Sequence, residues 1–150
     1  MALKGDRHEL DTDISFFIDI AAEKGQLVCV STQGSGAAMD NSSALATTAS
    51  GTNVPLGIIL NDVVDIDQTR QHLNWHKDEV QKGGKCTILT KGWVVTDKIT
   101  GTPTAGMVAY LNTGGTVGAS VPGSTSATAV GRFLSTKDAD GFAKVSINLP

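Results

Sequence analysis

Short runs of apolar and β-branched residues, separated by turn-forming residues, occupy most of this chain. They lie at 14–20, 26–32, 44–50, 54–67, 85–99, 107–111 and 127–150. In the last run, apolar residues from Ala143 to Leu149 alternate with polar ones, which is the period of a strand buried on one face. Asp and Gly at 138–141 supply turn chemistry before it and predict a closing hairpin. Many short strands with frequent turns predict an all-β fold, either a small β-barrel or a β-sandwich.

The other apolar runs carry local signals of their own. Runs 14–20 and 26–32 flank a Gly-containing turn and predict a hairpin. In the strongly apolar run 54–67, Pro55 and the β-branched residues favour strand over helix. Gly92, inside the run 85–99, predicts a bulge or a sharp bend.

Three segments lack a strand pattern. Residues 1–13 are polar, carry charges of both signs and have no periodic apolar face, which predicts an extended N-terminal arm before a single domain at 14–150. Residues 68–84 are predicted to form a long loop with at most one short helical turn. Residues 112–127 are rich in Gly, Ser and Thr and predict a surface loop. Loops this long in a compact domain are usually functional or disordered.

Composition argues against two classes of partner. The net charge is −3, and Arg7, Arg70 and Arg132 lie far apart, so no clustered phosphate-binding surface is expected and nucleic-acid binding is not predicted. No apolar run approaches the length of a membrane span and the N-terminus lacks a signal-peptide pattern, so we expect a soluble protein made in a cytosol. Cys29 and Cys86 lie in apolar runs and are expected to be buried free thiols.

No residue pattern predicts catalysis, a metal or a cofactor. His72 and His76 would share a helix face, but the only other histidine is His8, so a third zinc ligand is missing. The carboxylates of 62–67 and 138–141 do not continue into a calcium loop. Neither a nucleophile elbow nor a phosphate loop is present. A binding protein rather than an enzyme is therefore expected.

The two tryptophans have different sequence environments. Trp93 lies in the apolar run 85–99 and is expected in the core. Trp75 lies in the polar segment 68–84, next to Asn74 and His76. Either Trp75 anchors an interface, where Trp is enriched, or the loop folds back and buries it.

Three blocks of sequence together resemble the head-decoration, or cement, proteins of tailed bacteriophages. They are PLGIILNDV (55–63), HKDEVQKGGKCTILTKGWVVT (76–96) and VGRFLSTKDADGFAKVSINLP (130–150), and the resemblance spans most of residues 10–150. It implies a small β-barrel core and a virion protein without turnover. Such a protein is made in the bacterial host cytoplasm, binds the major capsid protein on the outer surface of the head, and forms a homotrimer or, alternatively, a homodimer.

The contact residues that this resemblance implies lie in the arm and in the long loop. For contact with the capsid or with other copies we name Leu3, Lys4, Asp6, Arg7, His8, Leu10, Trp75, His76 and Lys77. The arm is expected to add a strand to a partner's sheet edge and to contribute little to the stability of its own domain.

Two competing functions remain open from the sequence. One is a phage tail, fibre or baseplate β-domain that binds protein or carbohydrate, for which Trp75 would suit sugar stacking. The other is a small β-fold enzyme that uses scattered Asp and Glu. Binding of the purified protein to expanded heads would favour a head-decoration protein. Binding to cells or glycans would favour a tail or fibre component.

Overall fold

The computed structural model describes residues 3–32, 45–48, 54–65, 79–120 and 128–149, which fold almost entirely as strands. The strands are β1 (His8–Asp13), β2 (Phe17–Ile18), β3 (Leu27–Thr32), β4 (Leu45–Thr48), β5 (Pro55–Ile59), β6 (Asp62–Val64), β7 (Glu79–Gln81), β8 (Ile88–Thr96), β9 (Ile99–Thr100), β10 (Val108–Leu111), β11 (Val117–Gly118), β12 (Ala129–Phe133) and β13 (Ala143–Asn148). A 3-10 turn at Thr113–Gly115 is the one helical element of these residues. The predicted all-β class is confirmed.

Eleven of the strands form one sheet that curls into a half-barrel. Its order is β2-β4-β3-β5-β8-β13-β12-β10-β11-β9, with β1 paired along β8. Strand β8 is the hub, because β5 pairs with Ile88 and Leu89, and β13 pairs with the stretch from Lys91 to Thr96. Strands β6 and β7 form a separate parallel pair.

The core consists of two clusters that meet along β3, β5 and β8. On each of these strands, two residues that are neighbours in sequence belong to different clusters. The larger cluster contains Leu27, Ile58 and Leu89, and the smaller contains Val28, Ile59 and Ile88. Because successive residues of a strand point to opposite faces, these parts of β3, β5 and the start of β8 are buried on both faces. That is why they appear in the sequence as continuous apolar runs. On β13, by contrast, only every second residue is buried, as predicted.

Close strand approach depends on glycine at two positions. Gly92 has a φ of 140°, and a Cβ there would collide with the carbonyl oxygen of His8 on β1. Gly57 has a φ of 144°, and its Cβ would collide with the carbonyl oxygen of Leu89 on β8. The register of β1 against β8 shifts beside Gly92, so the irregularity predicted there is confirmed.

The hairpin predicted from runs 14–20 and 26–32 is wrong. Strand β2 has only two residues and pairs in parallel with β4, while β3 pairs with β4 and β5. The turn between the two runs forms backbone hydrogen bonds with β5 and β6. Ala22 and Val63 exchange N–H···O bonds of 3.0 and 2.7 Å, and the N–H of Gly25 donates to the carbonyl oxygen of Ile59. Longer-range pairing therefore overrides the local hairpin signal.

The predicted closing hairpin is confirmed between β12 and β13. In its turn, Asp138 Oδ1 accepts hydrogen bonds from the backbone N–H groups of Phe142 (2.9 Å) and Asp140 (3.0 Å). Gly141 takes the positive φ of 87° that completes the turn. The loop predicted at 112–127 contains, in its described part, the 3-10 turn and β11, which pairs with β10 and β9.

The first residues of the described chain lie on its own sheet. Leu3 is 1% exposed, belongs to the larger core cluster and bridges to Thr96. The backbone N–H of Lys4 donates to the carbonyl oxygen of Val95 at 2.9 Å. The Leu3 side chain is thus covered by its own domain, and its contact with a partner stays a prediction. The division into an arm at 1–13 and a domain at 14–150 remains a prediction.

Within the described ranges, no helix has the length and apolar character needed to cross a membrane. Cys29 and Cys86 are both buried, as predicted.

Candidate contact surface

Strand β1 is exposed on both of its faces. Residues 8–12 are all exposed and only Asp13 is partly buried. Among the described residues, β1 pairs with β8 alone, so its second edge has no strand partner there. Charged side chains and two register shifts along β1 restrict indiscriminate edge pairing. A strand in this position presents both its edge and its side chains to a partner.

The arm residues named from the sequence have different environments. Lys4 contacts residues of the closing hairpin of its own chain. Its ammonium lies 3.4 Å from Asp138 Oδ2 and 4.6 Å from the ring centre of Phe142. Arg7 pairs with Glu9 at 2.7 Å. Asp6, Arg7 and His8 are exposed, and Leu10 is 68% exposed. Of the two arm leucines, only Leu10 remains accessible.

The three loop residues named with them, Trp75, His76 and Lys77, lie outside the described residues, so that part of the contact prediction stays a prediction.

A single row of side chains crosses five adjacent strands, of which β1 is the last. Each member is the register partner of the next, in the order Val108, Arg132, Ser146, Trp93 and His8, on β10, β12, β13, β8 and β1. None of the five is fully buried. At the usual strand spacing the row is about 19 Å long. We call these five residues the cross-sheet row.

Trp93 is the large aromatic side chain of the cross-sheet row, between Ser146 and His8. Lys144 Nζ lies 3.6 Å from the centre of its ring system, and the His8 ring stacks at 6.4 Å with an interplanar angle of 24°. Trp93 is only partly buried and belongs to neither core cluster, so the expectation that it lies in the core is wrong. Its strand neighbours Gly92 and Val94 take the buried positions, and the alternation of β8 turns Trp93 outward.

Basic side chains flank the cross-sheet row. Lys144 and Arg132 have no carboxylate within ion-pair distance among the described residues, whereas Lys91 lies 3.9 Å from Asp11. An open groove of about 520 Å³ runs beside Arg132; its lining is Val108, Ala129, Gly131, Arg132, Ser146 and Asn148. This surface thus combines the Trp93 ring, two cations without a carboxylate partner among the described residues, and a groove.

The shifted pKa values of the molecule have structural causes. Burial raises the pKa of the Cys86 thiol to about 11. The pKa of Asp138 is lowered, chiefly because the N–H of Phe142 donates to its charged form, with the N–H of Asp140 and the Lys4 ammonium adding to the effect. A hydrogen bond to Glu23 raises the pKa of Lys98. In the part of the chain that is described, no group of three or more His, Cys, Asp or Glu is arranged to hold a metal ion.

Comparison with known proteins places the chain among virion components. Residues 7–148 match a phage protein-family model described as structural cement protein (E217 gp24/Pam3 gp6). The match includes β1 and every residue of the cross-sheet row. No curated protein matches the chain.

Proposed function

The chain belongs to the phage structural cement protein family, and from this premise we propose that it binds the major capsid protein on the outer surface of a tailed-phage head. Its role is structural and capsid-stabilising. The match over residues 7–148 is the observation that carries the proposal, since it spans nearly the whole chain. The protein would be made in the bacterial host cytoplasm and join heads there.

The described surface supports attachment without turnover. Strand β1 has exposed faces and, among the described residues, an unpaired edge, which suits strand addition or side-chain docking onto a neighbouring protein. The cross-sheet row continues this exposed area over the adjoining sheet. Both features are borne by strands rather than by loops, so the contact geometry is held by the sheet itself.

We also propose that the protein acts as a homo-oligomer, a trimer first and a dimer second. One small domain offers limited contact area, and closed symmetry repeats each contact. Mass photometry of the free protein and copy counting on particles measure the state. A strict monomer in both settings would contradict the proposal.

Reconstitution tests the proposed function. Purified protein is mixed with empty expanded heads that lack it, the heads are sedimented, and bound protein is counted per capsid subunit. We expect saturable binding at a fixed copy number, and no binding by the same protein after denaturation. Binding to host cells or glycans without binding to heads would overturn the proposal and favour a tail or fibre component.

A further inference from the structure

The geometry points to an acidic, extended segment of the capsid protein as the occupant of the cross-sheet row and its groove, an inference that rests on the proposed function. Arg132 would bind a carboxylate of that segment, and Trp93 with Lys144 would hold its neighbouring side chains. The argument has three parts: which face of the sheet is uncovered, what charge it carries, and which partner fits that chemistry.

The sheet is covered on one half and open on the other. On β3, β5 and the start of β8, the residues that point away from the larger cluster are buried in the smaller one: Val28, Ile59 and Ile88. Further along β8 and on β13 the corresponding positions are only half-buried or exposed, and they carry Lys91, Trp93, Lys144 and Ser146. A partly exposed Trp on the uncovered half is the arrangement expected where a partner completes the burial, because Trp is concentrated at the centres of protein interfaces.

Two cations of this half have no ion-pair partner among the described residues. They are Arg132 and Lys144, which face this surface although the chain carries −3 overall. A guanidinium presents a planar fork of donors that matches a carboxylate with two parallel hydrogen bonds. Val108 and Ala129 line the groove beside Arg132 and would reduce the water around such a pair. A carboxylate is therefore the complementary group.

A short protein segment fits these features better than nucleic acid. Backbone phosphates are bound by clusters of many Lys and Arg, whereas here Lys144 lies over the Trp93 ring and Arg132 lies two strands away. The cross-sheet row runs over about 19 Å of strands, a span that an extended segment of six or so residues covers. Ser146 and Asn148 add side-chain hydrogen-bonding groups along the same groove.

Charge reversal at Arg132 tests the inference, with a matched reversal elsewhere. Arg132→Glu is compared with Lys137→Glu, which makes the same change in net charge at a half-buried site on the turn between β12 and β13, outside the arm and the 68–84 loop. Affinity for expanded heads is measured for wild type and both variants, with thermal unfolding as the folding control. Arg132→Gln is the milder second variant should Arg132→Glu fold poorly.

We expect Arg132→Glu to weaken head binding at least about tenfold, corresponding to 1.4 kcal/mol, and Lys137→Glu to leave it within about twofold. Wild-type binding should also weaken as salt rises, since exposed charge pairs are screened. If wild type binds heads and both Arg132 variants bind equally well, the inference is wrong while the proposed function stands. If wild type does not bind heads, the proposed function fails first. Loss of self-association with unchanged head binding would overturn the inference and assign the surface to a second copy.

Discussion

Two leucines of the arm show how far the environment of a residue departs from its sequence context. Leu3 follows Met1 and Ala2, and Leu10 stands between Glu9 and Asp11, in a segment with no periodic apolar face. Leu3 is 1% exposed and Leu10 is 68% exposed. Leu3 is buried because the chain passes Thr96, a residue far along the sequence.

Leu3→Ala should therefore destabilise the fold, whereas Leu10→Ala should not. Truncating a fully buried leucine costs about 2–4 kcal/mol, through lost transfer free energy and the cavity left behind. At the exposed position the change should stay within about 0.5 kcal/mol. Urea unfolding of the two variants measures the difference. Equal stabilities would show that Leu3 is not packed in the core.

The Cys86 thiol should be unreactive in the folded protein. Its pKa is raised to about 11 by burial, so at a pH near 8 roughly one molecule in a thousand carries the reactive thiolate. A thiol-labelling reagent should modify Cys86 only after unfolding. Because the pKa in the folded state lies above the ordinary value of 9.0, the associated stability is present below pH 9 and lost as pH rises toward 11. Cys86→Val, which does not titrate, should lose less stability over that interval. Rapid labelling of native protein would contradict this account.

At the scale of elements, the docking of β1 on β8 depends on a glycine of β8. Gly92 has positive φ, and a methyl group there would meet the carbonyl oxygen of His8. Sequence alone indicated an irregularity at Gly92 but not its partner, because the two strands lie about eighty residues apart. The pairing makes the arm part of the sheet instead of a free extension.

Gly92→Ala should release β1. The substitution combines an unfavourable backbone angle with a steric clash, and should cost at least about 1 kcal/mol. Hydrogen exchange should show faster exchange of the amides of β1, with smaller changes in β12. Gly5→Ala is the control, since a Cβ at Gly5 meets nothing within 4 Å. Unchanged protection of β1 in Gly92→Ala would refute the assigned role of this glycine.

Deletion of residues 2–12 tests the arm as a unit. The polar sequence of the arm predicted near-normal stability after deletion; the burial of Leu3 and the β1–β8 pairing now predict a lower unfolding midpoint. The loss should at least equal that of Leu3→Ala, because the deletion also removes backbone hydrogen bonds. A midpoint equal to that of the full chain would restore the interpretation as a passive arm.

At the scale of the molecule, local periodicity predicted the strand-rich class, the alternation of β13 and the turn at 138–141. These features depend on residues that are neighbours in sequence. The pairing of β2 with β4 depends on contacts from distant segments, as does the choice of which face of β8 is covered, and no local pattern encodes either. The cross-sheet row draws its residues from five separate strands for the same reason. Three blocks of sequence were enough to identify the resemblance to cement proteins, and the family match over residues 7–148 confirms it.

Stabilisation of heads is the central claim, and the temperature at which DNA-filled heads release their DNA measures it most directly. Heads lacking the protein are compared with the same heads saturated with it, using dye access to DNA during heating. The account predicts that saturation raises the release temperature, and that addition of Arg132→Glu at the same concentration raises it less. An identical release temperature with and without bound protein would contradict a cementing role.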